Sequence, residues 1–91
     1  MTISKNLTLL NKYGMHVRPA GALAKTCQKY LCEVTVENGA TSASGKSVLG
    51  LMTLEAPCGT VLKITAVGDD AQLAMSEIEE LIANRFGIID E

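Results

Sequence analysis

Cys32-Glu33-Val34-Thr35-Val36-Glu37-Asn38-Gly39 is the stretch whose reading decides the fold. From Cys32 to Glu37, apolar and polar side chains alternate strictly, which is the period of a half-buried strand. Asn38-Gly39 then supplies two residues that tolerate positive φ, a strong signal for a tight hairpin turn. Thr41–Ser44 follows as a short returning strand. A hairpin of this kind joins antiparallel neighbours, so the sheet that contains it cannot be all parallel.

Upstream of the hairpin, Val17 to about Tyr30 reads as a helix, with Ala20, Leu23, Ala24 and Cys27 recurring on one apolar face. Before it, Leu7-Thr8-Leu9-Leu10 alternates enough to be a first strand, ending at Asn11-Lys12-Tyr13-Gly14. Downstream, Ser47 to about Leu54 reads as a short helix with Val48, Leu51 and Met52 at helical spacing. Pro57 and Gly59 bracket a turn, and Val61 to Val67 is the fourth strand. Gly68-Asp69-Asp70 closes that strand, and either aspartate suits the cap of a last helix. That helix runs from about Ala71 to Asn84, with Ala74, Ile78, Leu81 and Ile82 on its buried face. Phe86, Ile88 and Ile89 are expected to pack as a tail. The order is β-α-β-β-α-β-α. It predicts an α+β, two-layer, open-faced sandwich: a four-stranded, mostly antiparallel sheet with three helices on one face, one domain over residues 1–91.

Composition narrows the function. Ninety-one residues suffice for one modest core, and 47% of them are hydrophobic. Only three are aromatic, so that core is aliphatic. A formal charge of −2 leaves no basic footprint for nucleic acid. No run approaches the roughly 20 apolar residues of a membrane span. The start, Met1-Thr2-Ile3-Ser4-Lys5, lacks the pattern of a signal peptide. Cys27, Cys32 and Cys58 are odd in number and lack metal-ligand spacing, so reduced thiols are expected. These features together point to a cytosolic, monomeric protein needing no metal and no cofactor.

The chemistry concentrates in Gly14-Met15-His16-Val17-Arg18-Pro19-Ala20, which holds the only histidine. Gly14 permits a tight or left-handed turn after the preceding strand. Pro19 fits the first turn of a helix, where a missing N–H costs nothing. His16 then falls at about the N-cap, beside the unbonded N–H groups of the helix start and the positive end of its dipole. Arg18 adds a guanidinium suited to phosphate oxygens. A lone histidine in a small domain is usually without chemistry, but this context suits an acceptor of a phosphoryl group. Histidine is also a middling cap, inferior to Ser, Asp or Asn.

The element order and the His16 heptapeptide resemble the HPr family, the histidine-containing phosphocarriers of the bacterial phosphoenolpyruvate-dependent phosphotransferase system. The resemblance covers nearly the whole chain. Lys46-Ser47-Val48-Leu49-Gly50-Leu51-Met52-Thr53-Leu54 resembles that family's regulatory-serine segment. Val17 departs from the alanine most often found there. The resemblance implies that Enzyme I passes a phosphoryl group to Nδ1 of His16, which hands it to an EIIA-type domain. Arg18 would balance the charge of the transferring group. Such a protein is a carrier and not a free-standing enzyme. Ser47 would cap the second helix or be the target of an HPr kinase/phosphorylase, and both readings stand. Ala20, Leu23, Leu49 and Met52 are the expected docking residues around the histidine.

Gly45-Lys46-Ser47 looks like the end of a P-loop, but that motif needs glycine where Ala40 stands. Two other readings of the chain remain open. One is the nitrogen-related branch of the same family, whose output is regulation. The other is a non-catalytic, ferredoxin-like regulatory or ligand-binding module, for which His16 would take no phosphate.

Overall fold

The computed structural model describes residues 1–88. Its strands are β1 (Thr2–Thr8), β2 (Glu33–Asn38), β3 (Thr41–Ser44) and β4 (Val61–Val67). Its helices are α1 (Val17–Gln28), α2 (Val48–Met52) and α3 (Ala71–Ala83), followed by a 3-10 turn at Arg85–Gly87. The sheet has the order β1-β4-β2-β3, and every pairing in it is antiparallel. Leu62, Ile64 and Ala66 of β4 and Val34 and Val36 of β2 form its buried face. Leu23, Ala24 and Cys27 of α1 and Ala74, Met75, Ile78 and Ile82 of α3 belong to the same core. No helix of the described residues is long and apolar enough to cross a membrane.

The hairpin forms where expected, but its turn sits one residue later. Asn38 pairs with Thr41, leaving Gly39 and Ala40 as the loop. Gly39 takes φ of +61°, as the first central residue of such a loop can when it is glycine. Asn38 is therefore the last strand residue, and its Nδ2 donates to the Leu54 carbonyl at 2.9 Å. That bond ties the hairpin to the segment after α2.

The first strand lies earlier than Leu7–Leu10. It spans Thr2–Thr8 at an edge of the sheet, where Ser4, Lys5 and Asn6 are exposed and blur the alternation. Leu9 lies outside the strand yet is buried; its N–H donates to Thr60 at 2.9 Å and its carbonyl accepts from Gly59 at 2.8 Å. Leu10 is exposed. Each helix stops a little short of its expected end, at Gln28, Met52 and Ala83. Leu81 is only half-buried, while Met75 is fully buried. Phe86 is buried and Ile88 packs against the core, whereas Ile89 lies outside the described residues. Cys27 and Cys32 are buried free thiols and Cys58 is an exposed one. Burial, more than the neighbouring Cys32, pushes the Cys27 thiol up to about 12, so it stays protonated.

Asp70 precedes α3 but makes no capping bond with its side chain. Its carboxylate instead accepts from the backbone N–H of Leu31 at 2.7 Å and of Cys32 at 2.9 Å. These bonds, Leu31's foremost, hold the carboxyl below the usual range. Glu77 similarly accepts from Lys29 and Tyr30, joining the end of α1 to α3, with Lys29 the larger cause of its lowered value. A folded value below the unfolded one stabilises the protein above the unfolded pKa, about 3.9 for aspartate. That contribution is lost as pH falls through the folded value. Asp70→Asn should therefore flatten the acid limb of a plot of thermal midpoint against pH. An unchanged acid limb would show that the two bonds do not couple Asp70 to folding.

Candidate functional site

The site begins with a loop that can take only one path. Gly14 has φ of +67°, and a Cβ there would lie 2.1 Å from the Ala56 carbonyl oxygen and 2.7 Å from Pro57 Cα. Glycine is required on both counts. The buried Asn11 donates from Nδ2 to the Gly14 carbonyl at 2.6 Å. The Met15 N–H donates to Ala56 at 2.8 Å, and the Met15 side chain is buried. The residues before His16 are thus fastened to the Ala56–Pro57 segment.

His16 is the N-cap residue of α1, in extended conformation with φ −111° and ψ −167°. Its carbonyl accepts from the Ala20 N–H at 2.9 Å, closing the first turn. Its side chain makes no capping bond. The imidazole is half-buried and Arg18 is exposed, both at the end of α1 where helix dipole and first-turn N–H groups favour an anion. Pro19 is buried in that first turn. The ring of Tyr13 meets the His16 ring edge to face, a contact that motif reading had not anticipated.

α2 packs beside α1. Ser47 is its N-cap, and its Oγ accepts from the Gly50 N–H at 3.0 Å. The capping role assigned to Ser47 is therefore present. Gly50 suits this turn because a Cβ there would lie 3.1 Å from Ser47 Oγ and 3.3 Å from Ala43 Cβ. The likeness to a P-loop dissolves for a physical reason. A Cβ on Gly45 would meet Val34 Cγ1 at 2.7 Å, and Lys46 Nζ is spent on the Tyr30 carbonyl at 2.7 Å.

Two of the four expected docking residues are not on the surface. Ala20 and Leu23 are both 0% exposed, because the apolar face of α1 turns toward the sheet and α3. They belong to the core. Leu49 and Met52 are exposed, at 78% and 39%, while Leu51 between them is buried. The third exposed apolar side chain of these two helices is Val17, at 58%. Sequence reasoning had set Val17 aside as a tolerated departure; its place at the first helical position, next to His16, was the available signal. Gly21 is half-buried with open space where a Cβ would stand, so α1 offers bare backbone one turn beyond Val17. Among the described residues, no cluster of His, Cys, Asp and Glu could hold a metal ion.

Residues 3–84 match the family model PTS-HPr, described as "PTS HPr component phosphorylation site". The chain belongs to the HPr family. It is 46% identical to phosphocarrier protein HPr of Borreliella burgdorferi over 69 residues, 76% of this chain and 80% of that one. It is 39% identical to phosphocarrier protein HPr of Haemophilus influenzae over 79 residues, 87% and 93% of the two chains. HPr-C-His from Thermoanaerobacter tengcongensis has the same fold, with a TM-score of 0.91 at 32% identity, over 96% of this chain and 98% of that one. The open antiparallel sheet and three helices are those of HPr. Membership brings the family's role, a phosphocarrier of the phosphotransferase system, and with it a phosphohistidine and a link to sugar transport.

Proposed function

We propose that His16 accepts a phosphoryl group from Enzyme I and passes it to an EIIA-type domain. The placement of His16 at the N-cap of α1, with Arg18 in the same first turn, carries this reading. The lone pair of Nδ1 attacks phosphorus in line with the bond to the donor. The first-turn N–H groups and the Arg18 guanidinium oppose the charge on the transferring oxygens, which is most of what such a reaction needs. Val17, Leu49 and Met52 form the apolar contact surface for both partners. Methionine suits a surface that must fit more than one. The chain acts as a single carrier domain in the cytosol, as a monomer, and does not turn over a small-molecule substrate. Incubation with phosphoenolpyruvate and Enzyme I tests the reading. The expected label is one phosphate per chain, lost in acid as a phosphoramidate is. An acid-stable label, or none, would contradict it.

Ser47 is proposed as a second phosphorylation site, the target of an HPr kinase/phosphorylase. Phosphate on its Oγ would place a charge of about −2 at the start of α2, beside the exposed Leu49. An acidic partner would then be repelled. Ser47→Asp should fold normally, since aspartate is a good N-cap, yet accept phosphate from Enzyme I more slowly. Ser47→Ala loses the bond to Gly50 and should cost about 1 kcal/mol of stability while transferring at a near-normal rate. Thermal midpoints and transfer rates of both variants separate the two roles. Equal rates for Ser47→Asp and the parent would leave only the cap.

A further inference from the structure

An aromatic ring stands beside His16, and neither the core nor the helix cap accounts for it. The rings of Tyr13 and His16 have centroids 6.2 Å apart and planes inclined by 80°. This is the edge-to-face arrangement that ring quadrupoles favour. The Lys12 ammonium lies over the Tyr13 ring, 5.2 Å from its centroid, a cation–π contact. Tyr13 is 61% exposed, so burial does not explain its position. Its backbone is fixed, because the next residue is the sterically locked Gly14, bonded to Asn11. The terminal torsion of a histidine is broad and roughly two-fold, so a ring on a rigid loop can bias it.

We propose that Tyr13 is a positioning residue for phosphoryl transfer, its ring holding the His16 imidazole at the angle that presents the reacting nitrogen to phosphorus. The inference rests on His16 being the phosphoryl acceptor. In that step the nitrogen lone pair forms the N–P bond while the bond from phosphorus to the donor breaks. The electron pair of the broken bond leaves on the donor, and the proton on the other imidazole nitrogen stays in place. In this role Tyr13 takes part in no bond that forms or breaks. It acts by keeping the lone pair in line, where small misplacements slow a reaction that depends on orientation.

Single-turnover transfer from phosphorylated Enzyme I to the parent chain, Tyr13→Phe and Tyr13→Ala tests this, with the Enzyme I concentration varied. Nuclear magnetic resonance of the carbon-bound ring protons of His16 provides the second readout. Tyr13→Ala should lower the maximal rate by about five-fold, the factor that one edge-to-face contact is worth, with the half-saturating concentration unchanged. Tyr13→Phe keeps the ring and should restore the rate. The His16 ring protons should shift in Tyr13→Ala, where the ring current is lost, and hold their place in Tyr13→Phe. A parent-like maximal rate in Tyr13→Ala would overturn the proposal. So would a change confined to half-saturation, which marks a partner contact, or a Tyr13→Phe as slow as Tyr13→Ala, which marks the hydroxyl. If the parent chain itself takes no phosphate, the acceptor reading fails for all three proteins, an outcome distinct from the others.

Discussion

His16→Ala is expected to take no acid-labile phosphate from phosphoenolpyruvate and Enzyme I, yet to keep a thermal midpoint near that of the parent. The loss is complete because the reaction needs a nucleophilic nitrogen at the head of α1, and the chain has no other histidine. Arg18 can oppose charge there but cannot take the group, since a guanidinium holds its protons. Stability is spared for reasons local to the cap. The His16 carbonyl, which bonds the Ala20 N–H, remains after substitution, and the side chain makes no capping bond to lose. The edge-to-face contact with Tyr13 disappears, a change of about 1 kcal/mol. Parallel labelling of the two proteins, with half of each sample acid-treated, gives the answer. Acid-labile phosphate on His16→Ala would mean that another residue is the acceptor.

Gly14→Ala should be the most damaging single-atom addition in this part of the chain. The new methyl group would sit 2.1 Å from the Ala56 oxygen, against backbone and not against a yielding side chain. The backbone would also hold a non-glycine residue at φ of +67°. Strain of that kind and overpacking each cost about 1–3 kcal/mol, so a loss of roughly 3 kcal/mol or more is expected. The relief available to the chain is to release Met15 from Ala56, which would carry His16 out of place. Transfer should fall along with the urea midpoint. A midpoint matching the parent's would show that the Ala56–Pro57 segment yields at little cost.

What could be read ahead of the structure was whatever depends on neighbours in sequence. The β2–β3 hairpin, the bounds of β4, the N-cap position of His16 and the cap of Ser47 are all local, set by alternation, turn residues and helix-start chemistry. What escaped depends on where elements meet. The polar run Ser4-Lys5-Asn6 hides β1, because an edge strand need bury little. Helical spacing placed Ala20 and Leu23 on one face of α1, but it does not say whether that face meets the sheet or a partner. Met75 fell outside the assumed stripe of α3 for the same reason. Tyr13 had no signal at all in the Gly14–Ala20 motif, since its value comes from a ring contact across the turn. The role of Asp70 required knowing that the end of the α1–β2 connection passes beside it.

Asp70 also sets where this molecule can afford to change. Helix α1 is 12 residues long, about 18 Å, with His16 at its head and the Asp70-bound Leu31 beyond its tail. The carboxylate clamp, and the Lys29–Glu77 pair near it, thus anchor the molecule at the pole away from the chemistry. Side chains such as Val17, Leu49 and Met52 take no part in that anchorage. Substitutions there leave the tertiary scaffold undisturbed, so these exposed side chains can vary without compensating changes in the core.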